Sequence, residues 1–113
     1  MTRFDFQKAL SIADGDKELL AELIDSFEEY FPELMKDISK ALAEYDGETL
    51  RAKAHSIKGS AANLGALELS ALAAELEMQG FQVDFGKPVD QALREAFRAF
   101  TEEASAKMKE TVR

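Results

Sequence analysis

Residues 54–66 read AHSIKGSAANLGA and contain the only histidine of the chain, His55. Lys58 follows three positions later and Gly59 four, and Ala54, Ser56, Ser60, Ala61 and Ala62 surround them with small side chains. A glycine inside a helix costs about 1 kcal/mol relative to alanine. Gly59 therefore implies either tight packing or a need for open space beside the imidazole. On a helix, residues three and four apart share a face. His55 would then stand clear, with an ammonium beside it and no side chain on Gly59 to obstruct approach. A phosphoryl group would find there a neutral nucleophile and a cation for its oxygens.

Other uses of a histidine fit less well. One histidine, no cysteine and no HExxH pair give no metal-ligand set. No GxSxG elbow is present, which argues against a serine hydrolase. No glycine-rich loop follows a strand, so no nucleotide site and no other cofactor is expected.

Composition narrows the partner. The 113 residues carry 22 acidic and 14 basic side chains, a formal charge of −8. Such a surface repels nucleic-acid phosphates and anionic bilayers, which leaves another protein as the expected partner. Hydrophobic residues make up 46%, enough for one core in a single domain over residues 1–113. No apolar run suggests a signal peptide or a membrane span, and the lack of cysteine is compatible with a reducing cytoplasm, the expected location.

The elements that must position His55 are helical throughout, with no sustained period of two. A short first helix places Phe6, Ala9, Leu10 and Ala13 on one face and stops at Asp14-Gly15-Asp16, where Asp16 is able to cap the next helix. The second runs from about Lys17 to Tyr45, with an apolar stripe that includes Leu20, Leu23, Ile24, Phe27, Phe31 and Ile38. The stripe continues across Pro32, which favours a kink over a break. Asp46-Gly47 ends that helix. The third spans roughly Glu48 to Leu64, and Leu64-Gly65-Ala66 turns the chain into an antiparallel fourth that buries Leu69, Leu72, Ala73 and Leu76 and ends near Gly80. In GFQVDFGKPVD, Phe81, Val83 and Phe85 are expected to cover one end, and Pro88 suits the first turn of the last helix. That helix carries Val89, Ala92, Leu93, Ala96, Phe97, Phe100 and Ala104 on one face and fades into the polar tail SAKMKETVR. The expected fold is all-α: an antiparallel four-helix bundle with a short extra N-terminal helix.

A helix turns about 100° per residue. With Leu50 at the centre of the buried face of the third helix, Ala54, Ile57, Ala61 and Leu64 lie within about 40° of it and His55 about 140° away, on the solvent side. The same side carries Arg51, Ala52, Ser56, Gly59, Ala62 and Asn63, a flat surface on which a partner could dock, with part of the first two helices joining it. In an antiparallel pair turning at Ala66, the residue level with His55 is Glu77, eleven positions beyond the turn. Glu77 sits at the edge of the buried stripe, where its carboxylate could accept from Nδ1–H and leave Nε2 as the nucleophile.

AHSIKGSAANLGA, with HxxKG at its centre, resembles the signature of the histidine-phosphotransfer (HPt) domain family. The resemblance extends to FEEYFPEL on the preceding helix and ALAAELE on the following one. It implies a phosphorelay intermediate of two-component signalling. His55 would accept a phosphoryl group from a receiver aspartyl phosphate, or from a kinase, and pass it to another receiver domain. Lys58 would steady the phosphoryl oxygens, Gly59 would keep the approach open, and Glu77 matches the position of a glutamine or glutamate bonded to the imidazole. The partner would be the receiver domain of a response regulator or hybrid sensor kinase, which would supply magnesium and the aspartate chemistry. A monomer is expected. The competing reading is a helical adaptor that binds a signalling partner without phosphorylation; His55, Lys58 and Gly59 together weigh against it.

Overall fold

A computed structural model describes residues 4–80 and 89–111. It contains helices α1 (Phe6–Ile12), α2 (Lys17–Glu44), α3 (Gly47–Asn63), α4 (Leu67–Gln79) and α5 (Val89–Thr111). Helix α3 packs on α2 and α4, and α5 closes the ring against α4 and α2, so the four long helices form the expected bundle. Helix α1 lies against α2 and α3 at the end where α3 turns into α4. The longest dimension, 47 Å, is close to the length of α2, whose 28 residues rise about 1.5 Å each.

Three aspartates start the first three helices. Asp5, Asp16 and Asp46 each accept from the amide three positions on, at Lys8, Leu19 and Thr49, all at 3.1 Å. Helix α2 runs unbroken through Pro32. The apolar stripe decides this: Phe27 and Phe31 before the proline and Leu34 and Met35 after it are all buried. Phe31 stacks on Phe97 of α5 with ring centroids 3.8 Å apart, and Phe27 meets the edge of Phe97 at 5.6 Å. Phe100 extends this cluster to Phe4, also at 5.6 Å.

Several boundaries differ from the sequence reading. Asp46-Gly47 does not end α2. Tyr45 does, in the left-handed conformation (φ 53°), while Asp46 caps α3 and Gly47 is already helical. Helix α5 does not fade at SAKMKETVR but continues to Thr111. Ala104 is buried and Met108 packs against the core four positions on, so the stripe of Ala96 and Phe100 simply persists. Leu23, read as part of the α2 stripe, stays 36% exposed because its neighbours on α3, Ser60 and Asn63, are too small to cover it. The expectations for Phe81, Val83, Phe85 and Pro88 fall outside the described residues.

The α3–α4 turn is built tightly. Gly65 has φ 72°, and a Cβ there would fall on the carbonyl of Asp5. Asp5 in turn donates its amide to Gly65 O at 2.7 Å. This pins the N-terminal segment to the turn and fixes the offset of α4 along α3.

Candidate functional site

The site lies on the outer flank of the α3–α4 pair. Leu50, Ala54, Ile57 and Ala61 face inward on α3, each no more than 1% exposed, and they turn His55 outward. The His55 side chain is 66% exposed. Its Nδ1 lies 2.7 Å from Oε2 of Glu77, 22 residues away in sequence. Among the described residues Nε2 has no hydrogen-bond partner.

Lys58, one turn along α3 from His55, also reaches Glu77. Its Nζ is 2.5 Å from Oε1 of Glu77, so the ammonium rests on the carboxylate one turn from the imidazole. Glu77 thus holds both residues, one with each oxygen. The Lys58 bond, and after it the bond from His55 and the charges of both, hold the Glu77 carboxyl below its ordinary range, with burial opposing.

Ser70 of α4 donates its Oγ to the carbonyl of Lys58 at 3.2 Å. Ser70 and Glu77 are seven positions apart, two turns on one face of α4, with buried Ala73 between them. This face meets α3, and its small residues let the helices approach. The sequence reading missed both the Lys58–Glu77 pair and the Ser70 tie. The seven-residue spacing was the available signal.

Gly59 answers the question its presence raised. A Cβ built there meets nothing within 4 Å. Among the described residues no packing requires glycine, so no contact there offsets its cost. Beside it Arg51, Ala52, Ser56 and Asn63 are exposed and Ala62 is half-buried, leaving a surface of low relief around the imidazole.

That surface continues onto the first two helices. Ile12, Leu19, Leu23 and Tyr30 are large apolar side chains between 36% and 53% exposed. Ile12, Leu23 and Tyr30 line a groove of about 380 Å³ together with Phe27, Ser60 and Asn63. Asn63 belongs to the exposed side of α3 and joins the groove to the histidine face. Sequence periodicity hides this patch because its residues extend the edge of an ordinary buried stripe. Among the described residues no helix is long and apolar enough to cross a membrane.

A family model described as Hpt domain matches residues 22–107. No curated protein and no solved structure matches the chain.

Proposed function

The chain belongs to the Hpt domain family, whose role is phosphotransfer in two-component signalling with receiver-type partners, and we propose that His55 is its phosphoacceptor. The observation that carries the proposal is the imidazole itself: it stands exposed on α3 with Nδ1 on the Glu77 carboxylate, which leaves Nε2 as the reactive nitrogen. A carboxylate on Nδ1 fixes the tautomer and orients the ring, so that the Nε2 lone pair points away from the bundle.

Transfer then needs little from this chain beyond position and charge. Nε2 attacks the phosphorus of a receiver aspartyl phosphate, and Lys58, one turn along, meets the phosphoryl oxygens as they arrive. Gly59 admits the rim of the receiver active site. The receiver docks on the exposed face of α3 and on the groove of Ile12, Leu23 and Tyr30, which is continuous with that face through Asn63. The chain passes the phosphoryl group to a second receiver by the reverse step, as a carrier and not as an enzyme.

The test is a transfer assay. Phosphorylated receiver domains are mixed with the wild-type chain and with His55→Gln, and acid-labile, alkali-stable phosphate is sought on each. Label on the wild type alone is the expected result. Label on folded His55→Gln would remove His55 from its role. No label on either from any receiver would favour the adaptor reading.

A further inference from the structure

The two oxygens of Glu77 are divided between two donors. Oε2 meets His55 Nδ1 at 2.7 Å and Oε1 meets Lys58 Nζ at 2.5 Å. An ionised carboxylate only accepts hydrogen bonds. The bond to Nδ1 therefore requires a proton on Nδ1, and the pairing with Lys58 helps keep Glu77 ionised. A glutamine here would serve either form of the ring, since its oxygen accepts from Nδ1–H and its amide donates to a bare Nδ1. Glutamate serves only one form.

The difference matters once His55 carries phosphate, a state that rests on the carrier function proposed above. In the forward step the Nε2 lone pair forms the N–P bond, the P–O bond of the acyl phosphate breaks, and the donor aspartate leaves as a carboxylate. No proton has to move. The ring enters as neutral imidazole with its proton on Nδ1 and emerges as an Nε2-phosphoryl imidazolium bearing the same proton. Onward transfer from that cation expels neutral imidazole, a good leaving group. If the Nδ1 proton were lost, transfer would have to expel an imidazolate, and the phosphoryl group would be stranded.

We propose that Glu77 keeps the proton on Nδ1 throughout the transfer cycle, holding phosphohistidine in its labile cationic form, so that the site hands its phosphoryl group on instead of storing it. Glu77 is in this sense a positioning residue, acting through the imidazole. Lys58 acts in the opposite sense on the ring, as a neighbouring cation. In the resting state it lies on Glu77. When it moves to the phosphoryl oxygens, the imidazolium is left as the partner of the carboxylate. Of the other charged groups, Arg51 and Glu48 share the His55 face one and two turns earlier on α3, both exposed. Helix α2 meets α3 on the other flank, where Asp37 lies 3.4 Å from Lys53. Glu77 is the charged residue of α4 that meets the ring.

The test loads the full chain with phosphoramidate, a small phosphoryl donor that needs no receiver. Wild type, Glu77→Gln and Lys58→Met are loaded, and phosphoryl loss is followed from neutral to alkaline pH, with nitrogen NMR of the phosphorylated ring. In the wild type, loss stays fast to higher pH and the Nδ1–H signal persists with it. In Glu77→Gln the range of fast loss ends at lower pH, and on its alkaline side the wild type loses phosphate faster, by about tenfold. Lys58→Met moves the profile the other way. Both variants alter a partly buried side chain, 22% exposed at Glu77 and 35% at Lys58, and circular dichroism checks that they fold. If wild type and Glu77→Gln load equally and their profiles coincide, this proposal fails while the carrier reading stands. If phosphoramidate leaves no phosphate on folded wild type, both fail together.

Discussion

Lys58 Nζ rests on Oε1 of Glu77, on the opposite side of the carboxylate from the oxygen that meets His55. The cation is therefore held one turn from the imidazole. Its side chain is about one-third exposed, at 35%, and an ion pair in such a place is screened and adds little to folding. Lys58→Ala should consequently leave the thermal unfolding curve almost unchanged. Transfer should fall by about tenfold or more, because one cation is lost where negative charge develops. Stopped-flow transfer and thermal unfolding on the same samples separate the two effects. A large drop in stability would show that Lys58 serves the fold instead.

Under the proposed function, Gly59 sets stability against receiver access at a single position. The space beside it is empty and its backbone is helical. Gly59→Ala should raise stability by about 0.5–1 kcal/mol, the ordinary gain for alanine over glycine inside a helix. The same methyl group would project beside the imidazole, where a receiver must come close. Receiver-dependent transfer should fall, while loading by phosphoramidate, a far smaller donor, should be much less affected. Equal loss with both donors would mean that the methyl group disturbs His55 and not the docking.

Acid should dismantle the site through Glu77. Its folded carboxyl lies below the ordinary range, chiefly because of the bond from Lys58 and then those of His55. Such a group contributes stability that is fully present above its unfolded value, about 4.3. The contribution is lost as pH falls through the lower folded value. Asp46, held low by its bonds to Thr49, adds a loss of the same sign, so wild type alone is not diagnostic. The difference between wild type and Glu77→Gln isolates the site. It should shrink as pH falls below about 4. A difference that persists unchanged to the acid limit would show that the carboxylate charge is not what Glu77 contributes.

How much of the fold and site was legible in the sequence depended on which physical rule governed each residue. His55 and Glu77 could be matched because helix rise and a short turn fix levels, and those are properties of the backbone alone. Lys58 could not be assigned to Glu77 by the same rule, since a long flexible side chain chooses among several acceptors and only the packed structure shows which is near. Tyr45 took the left-handed cap although Gly47 was two residues away, because Asp46 was needed to cap α3 and the helix start overrode the glycine signal. Leu23 belongs to the apolar stripe yet stays open, because period alone does not report the size of the neighbours opposite. Ser60 and Asn63, which leave it open, lie on another helix.

The opening beside Leu23 makes the proposed docking groove testable. Leu23 and Tyr30 are 36% and 53% exposed and line the groove with Ile12, Ser60 and Asn63, on the flank of α3 away from Glu77. The Glu77 carboxylate meets His55 and Lys58 on the other flank. If the groove is where a receiver anchors, a charge placed there should act on association and not on chemistry. Leu23→Glu should weaken receiver binding by about tenfold or more, the scale of an apolar contact that contributes over about 1 kcal/mol to an interface. The same variant should accept phosphate from phosphoramidate at the wild-type rate, because His55, Lys58, Gly59 and Glu77 are untouched. Calorimetric titration with a receiver domain, run beside phosphoramidate loading, reads both quantities. Unchanged receiver affinity would move the docking surface off the groove and confine it to α3, where Arg51, Ala52, Ser56 and Ala62 would have to supply the whole contact.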